Sequence, residues 1–303
     1  MSIQRSIERA IATAKAKAKE QAAHPDLSVP VQAHQRAVAE TASGAAPAIH
    51  RKQRYAVAQP SVMSASFPQI DFNLQTCIQN RVLIPSGDPA LEARGAASYR
   101  MLRTRILHRV RSSGWTAIGF TSPGPSEGKT LTALNLSLSV AREKNNNVFL
   151  VDLDLRNPSV ARYLGVTPPH SIVDLLSGAV EAKQTLFSIG VDNFLLAGAG
   201  ASTPDSSELV AAGRHMELFA YIASISPQPL IVVDLPPVLS TDEALVVAPQ
   251  LDAIFLVIGE GTTRRDGLAR SVDLMSEFNL AGVILNKSRG VGQDYYSGAY
   301  DAP

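Results

Sequence analysis

The chain has 303 residues, 45% hydrophobic and 18% charged, with a formal net charge of +1 at pH 7. That is globular composition, and the near-neutral balance excludes a global electrostatic pull toward nucleic acid or acidic lipid. A single cysteine, Cys77, excludes an internal disulfide and a cysteine-rich metal site, and reads as a half-buried small apolar residue.

The opening "MSIQRSIERAIATAKAKAKE" carries charges throughout and no apolar centre, so it does not read as a secretory signal. Ile3, Ile7, Ile11, Ala14 and Ala18 share one helical face, with Arg5, Arg9, Lys15, Lys17 and Lys19 around it, which predicts a basic amphipathic helix over 1–22. Residues 23–67 are rich in Ala, Pro, Ser and Gln without a sustained period and read as a disordered linker. A folded domain is expected over 68–290, led in by a helix near 94–111 on which Leu102, Ile106 and Val110 recur at helical spacing among arginines. No apolar run reaches the roughly 18–20 residues of a membrane span, so a cytoplasmic protein is expected.

From Trp115 onward, apolar runs alternate with helical patterns. "WTAIGFTS", "NVFLVDLD", "NFLLAG", "PLIVVDLP", "AIFLVIG" and "AGVILN" read as strands, with helices near 129–144, 206–225, 241–249 and 264–279. Strands apolar on both faces and separated by helices imply an α/β fold: a mostly parallel central sheet covered by helices on both sides.

In such sheets ligands sit beyond the carboxyl ends of the strands. At that place "TSPGPSEGKT" joins a strand to a helix through a loop of Pro, Gly and Ser that ends in Gly128-Lys129-Thr130. Backbone N–H groups at a helix start bind anionic oxygens, a lysine there neutralises β- and γ-phosphates, and the next hydroxyl can ligate Mg²⁺. Pro123 stands where the strict P-loop pattern has its first glycine, but the strand before and the helix after supply the required context. Two strands then end in acids. Asp152 and Asp154 lie two residues apart, hence on one face, with Arg156 following, and Asp234 closes "LIVVD". Acids at strand ends facing a nucleotide hold Mg²⁺ or accept a proton from an incoming hydroxyl. No GxGxxG follows the first strand, which excludes a dinucleotide-binding oxidoreductase.

These motifs, with "IVDLLSG", "STDEALVVAPQLD" and "GVILN" in the same order, resemble the bacterial tyrosine kinases of exopolysaccharide synthesis over about Tyr99 to Ser288. The resemblance implies a P-loop NTPase fold, with ATP and Mg²⁺ as substrate and cofactor and protein tyrosine as acceptor. It places nucleotide contacts on Ser126, Glu127, Gly128, Lys129, Thr130, Leu131 and Asn286, the last against adenine. Catalysis falls on Lys129, Asp152 and Asp154, and metal binding on Thr130, Asp152 and Asp234; Asp242 matches a further acidic position. Two positions depart from the pattern. Ser126 stands where many members have glycine, a change tolerated if its φ stays negative. The ring-forming ExxRxxR helix reads "AASYRMLR", with Arg100 and Arg103 matched but Ala97 at the acidic position.

The tail over 291–303 is expected to be flexible and holds Tyr295, Tyr296 and Tyr300, three of the chain's seven tyrosines. By resemblance they are autophosphorylation acceptors, and adjacent phosphates would repel one another, giving an assembly switch. The resemblance further implies self-association and a membrane polysaccharide co-polymerase whose cytoplasmic segment activates the site, with membrane contact indirect, at the inner face of the cell membrane, and no nucleic acid bound. Two weaker readings share the P-loop: a regulator that binds ATP without phosphorylating tyrosine, and a partitioning ATPase, which lacks support because Gly124 occupies that group's second lysine position.

Overall fold

The structure, a computed structural model, describes residues 66–84, 96–143 and 146–288. The expected helix over 1–22, nearly all of the linker and the tyrosine tail lie outside the described residues.

In chain order the helices are α1 (Leu74–Gln79), α2 (Ala96–Ser113), α3 (Lys129–Ala141), α4 (Val160–Leu164), α5 (Ile172–Leu176), α6 (Ala182–Thr185), α7 (Ser206–Ala211), α8 (His215–Ile225), α9 (Glu243–Val247) and α10 (Arg265–Leu274). The strands are β1 (Ala117–Thr121), β2 (Asn147–Asp152), β3 (Phe194–Ala197), β4 (Pro229–Asp234), β5 (Ala253–Gly259) and β6 (Leu280–Asn286). They form one sheet in the order β3-β2-β4-β1-β5-β6, every neighbouring pair parallel. From β1 the chain crosses to β2, leaving a gap that β4 later fills, while β5 and β6 extend the other side. The direction of winding therefore reverses at β1, and the carboxyl ends of β2, β4 and β1 lie side by side at the reversal, where ligands bind in open α/β sheets.

Period-two alternation splits the core. On β2, Phe149 and Val151 enter one cluster with α5, α7, α8 and α9, and Val148 and Leu150 enter the other with α1 to α4. Gly119 marks a close approach on the first face: a Cβ there would stand 2.6 Å from Leu251 Cδ1 and 2.9 Å from Leu235 Cδ1. Helix α3 runs through the second cluster with every residue but Leu131 buried. Truncating one of its leucines to alanine would cost about 2–5 kcal/mol.

The lead-in segment is fastened to α3 by Asn135, whose amide donates to Arg81 O at 3.1 Å and whose Oδ1 accepts from Leu83 N at 2.8 Å. Tyr99 of α2 also bonds Asn135 and Thr132, and burial raises its hydroxyl pKa. Cys77 is fully rather than half buried, and burial pushes its thiol up to about 11. The expected helix over 206–225 is two helices, because Gly213 takes φ +75 and ends α7 after one and a half turns. Among the described residues no helix is long and apolar enough to cross a membrane.

Candidate active site

The loop between β1 and α3 is shaped by two residues with positive φ. Gly128 adopts φ +93 at the N-cap of α3 and supplies no side chain to cap it, so the first-turn N–H groups stay available to an anion. A Cβ at Gly128 would also run into Asn286 Nδ2. Ser126 adopts φ +62, contrary to the expectation of a negative angle. The turn toward Gly128 takes a left-handed residue at this position. For serine that conformation costs about 1–2 kcal/mol. The strain is held from the end of β6, where Lys287 Nζ donates to Ser126 O at 2.6 Å and Asn286 Nδ2 to Glu127 O at 3.0 Å. Asn286 thus lies against the phosphate loop, its amide already engaged by that loop's backbone.

Below the loop, Asp152 and Asp234 stand opposite each other in the β2–β4 register, both fully buried, and Asp154 is 2% exposed. Lys129 Nζ donates to Asp154 Oδ2 at 2.6 Å and to Asp234 Oδ1 at 3.3 Å, and Thr130 Oγ1 donates to Asp234 Oδ2 at 2.6 Å. Asp152 instead accepts backbone N–H groups, from Asp154 at 3.2 Å on Oδ1 and from Ser159 and Val160 at 3.2 and 3.1 Å on Oδ2. Burial, reinforced by Asp234, pushes the Asp152 carboxyl up to about 8, and burial likewise raises Asp234. Burial alone would lower Lys129, yet attraction to Asp234 and Asp154 outweighs it and raises its pKa.

Three buried carboxyls share one ammonium, and the raised Asp152 and Asp234 pKa values mark a site that favours added positive charge. That preference, with hard oxygen donors, fits a divalent cation such as Mg²⁺. Among the described residues no group of three or more His, Cys, Asp or Glu side chains is placed to hold a metal ion by itself. An Mg²⁺ shell does not need one, since water and phosphate oxygens ordinarily complete it. Thr130 and Asp234 could hold such an ion from the protein side, with Asp152 adjacent.

Nine of the residues singled out from the sequence therefore meet in one place: Ser126, Glu127, Gly128, Lys129, Thr130, Asp152, Asp154, Asp234 and Asn286. Leu131 lies in the first turn of α3, with its side chain packed against the core on the α1–α4 side of the sheet. Tyr295, Tyr296 and Tyr300 lie outside the described residues.

Two features were not legible as such in the sequence. Lys287 is one polar residue after a strand. The second feature is a satellite network beside the carboxylates: Arg156 Nε donates to Glu243 Oε1 at 2.9 Å and Ser206 Oγ donates to the same oxygen at 2.6 Å, while Ser207 Oγ donates to Asp242 Oδ1 at 2.8 Å. Burial alone would raise the Glu243 pKa, but the hydrogen bonds, led by that from Ser206, hold it at about 2. The ring-motif arginine Arg103 is used inside the chain, with Nη1 donating to Ser139 O at 3.0 Å and Nε lying 3.1 Å from Glu143 Oε1.

No family model matches the chain. Among curated proteins it is 28% identical over 221 residues to the tyrosine-protein kinase wzc of Salmonella typhimurium, and 26% identical over 190 residues to the tyrosine-protein kinase YwqD of Bacillus subtilis. These matches cover 70% and 62% of this chain; it spans 30% of the length of wzc and 79% of YwqD. Among solved structures, the kinase domain of the Escherichia coli tyrosine kinase ETK aligns with a TM-score of 0.57 at 26% identity, covering 62% of this chain and 73% of that one. The VpsO kinase domain aligns with a TM-score of 0.58 at 28% identity, covering 67% of this chain and all of that one. The described domain has a P-loop-type α/β fold and is similar to the kinase domains of bacterial tyrosine-protein kinases.

Proposed function

We propose that this protein is an ATP-dependent tyrosine autokinase that transfers the γ-phosphoryl group to Tyr295, Tyr296 or Tyr300 of its own tail or of a second copy. The observation that carries the reading is the Lys129 ammonium, held at the head of α3 between Asp154 and Asp234 with the Thr130 hydroxyl on the same carboxylate. That arrangement suits an Mg²⁺-bound triphosphate, and the relatives named above are tyrosine kinases.

Thr130 and Asp234 would hold Mg²⁺, which when bound would supply charge neutralisation on the phosphate oxygens. The chain's own groups do the rest. Lys129 turns from the carboxylates toward the β- and γ-phosphates, and the loop N–H groups orient the anion. Asp152, in its carboxylate form, accepts the proton of the tyrosine hydroxyl as its oxygen bonds to phosphorus and ADP leaves; Asp154 assists. By the family resemblance, the product would regulate polymerisation and export of an exopolysaccharide through the cytoplasmic segment of a membrane co-polymerase, which recruits the protein to the inner face of the cell membrane.

The test is incubation of the full chain with Mg²⁺ and ATP, with and without such a cytoplasmic segment, followed by peptide masses. Asp152→Asn serves as the inactive control. Phosphate on the tail tyrosines that disappears in the control is expected; an unmodified tail in every condition, with ATP bound, would reduce the protein to a nucleotide-dependent assembly factor.

A further inference from the structure

The end of β6 reaches into the phosphate loop at two consecutive peptides. Lys287 Nζ takes the Ser126 carbonyl and Asn286 Nδ2 takes the Glu127 carbonyl. A trans peptide is planar, so its C=O and the following N–H point in opposite directions. Fixing the Ser126 carbonyl toward β6 turns the Glu127 N–H toward the loop interior. Fixing the Glu127 carbonyl does the same for the Gly128 N–H.

The reach of Lys287 is built into the fold. Its backbone is itself left-handed, at φ +57, and its N–H is tied to Asn286 Oδ1 at 2.8 Å. Its stem crosses Gly259 at the end of β5, where an added Cβ would stand 3.5 Å from Lys287 Cδ. Asn286 O accepts Glu260 N at 2.9 Å, so the β5 and β6 ends are fastened together. Three constraints thus converge on an ammonium whose acceptor is the carbonyl of a non-glycine residue in a left-handed conformation.

We infer that Lys287 is a positioning residue for the phosphate loop: it holds Ser126 at positive φ and thereby aims the Glu127 N–H, as Asn286 aims that of Gly128, at the anionic oxygens of a nucleotide. This rests on the nucleotide reading above. Lys287 also lies near the buried Glu127 carboxyl, so a purely electrostatic role is the competing account.

A double-mutant cycle separates them, because glycine adopts positive φ about as readily as negative and needs no latch. Full-length parent, Lys287→Met, Ser126→Gly and the double variant are compared, with Lys287→Arg as the conservative change. In the ligand-free protein, Lys287→Met should lower Tm by about 2–4 °C in the parent background. In the Ser126→Gly background it should lower Tm by less than half as much. In titrations with Mg²⁺ and a non-hydrolysable ATP analogue, Lys287→Met should raise Kd by about tenfold. The double variant should recover most of that loss, and so should Lys287→Arg. KM for ATP should follow Kd while kcat holds. Equal losses in both backgrounds, or a fall in kcat at constant KM, would overturn the proposal. If the Tm coupling appears but the parent binds no analogue, the loop-holding role stands and the nucleotide reading fails. If binding is intact and no coupling appears, the nucleotide reading stands and Lys287 is not its latch.

Discussion

Asp152 and Asp234 face each other across adjacent parallel strands with no exposed surface, and the Lys129 ammonium bonds Asp234 and Asp154 rather than Asp152. Burial and Asp234 raise the Asp152 carboxyl to about 8, so the ligand-free pair favours holding a proton where an added cation could take its place. Asp152→Asn keeps an acceptor for the backbone N–H groups of Ser159 and Val160 while removing a carboxylate. Its ligand-free stability in urea should equal or exceed that of the parent, within about 1 kcal/mol. Tail phosphorylation should nevertheless fall on the order of 100-fold or more. A variant destabilised by several kcal/mol would show that Asp152 is there for structure.

Lys129 behaves oppositely. Its side chain is 8% exposed and compensates two buried carboxylates. Lys129→Ala leaves those charges unpaired, which costs about 3–5 kcal/mol. That corresponds to a Tm lowered by about 6–20 °C in a domain of this size. Adding Asp234→Asn to Lys129→Ala should recover a large part of the loss, a coupling that differential scanning calorimetry would read directly. Additive losses would mean that the ammonium is not compensating Asp234.

Glu243 carries a pH dependence. Its carboxyl titrates near 4.5 in an unfolded chain and is held at about 2 in the fold. A depressed carboxylate contributes stability above its unfolded pKa and loses it as pH falls toward its folded one. Glu243→Gln should therefore be less stable than the parent near pH 7 by about 1–2 kcal/mol, and the gap should close between pH 4.5 and pH 2. The lower part of the usual range applies because Arg156, one of the partners, is half exposed. Urea unfolding at a series of pH values checks this, and a gap that stays constant down to pH 2 would refute the assignment.

Most of this site was legible because it is written in local spacing. The six strands stand where their apolar runs stand, and Gly128-Lys129-Thr130, Asp152, Asp154 and Asp234 fall at strand ends or a helix start, positions that parallel topology brings to one edge. What the sequence hid depends on contacts between distant segments. Nothing near Ser126 indicates a positive φ, because the group that holds it lies 161 residues along the chain. Arg156 reads as a motif residue, but its acceptor Glu243 is 87 residues away in α9 and carries no pattern of its own. The short helices α4, α5 and α6 are too brief to show a period; α4 and α5 place apolar residues in the cores on either face of the sheet, and α6 packs against α5 and α8.

Gly128 concentrates two requirements at one position. A side chain there must adopt φ +93 and must also displace Asn286, whose Nδ2 occupies the space of a Cβ. Gly128→Ala should thus lose about 1–2 kcal/mol from the backbone alone. It should also break the Asn286 bond to Glu127 O, releasing the Gly128 N–H from its orientation. Asn286→Ala relieves the clash but not the angle. The double variant should therefore remain less stable than Asn286→Ala alone by roughly the backbone cost, about 1–2 kcal/mol, while the excess loss in Gly128→Ala disappears. Chemical denaturation of the four proteins separates the two contributions. A double variant as stable as Asn286→Ala would show that the loop can relax its left-handed turn and that steric exclusion by Asn286 is what requires glycine.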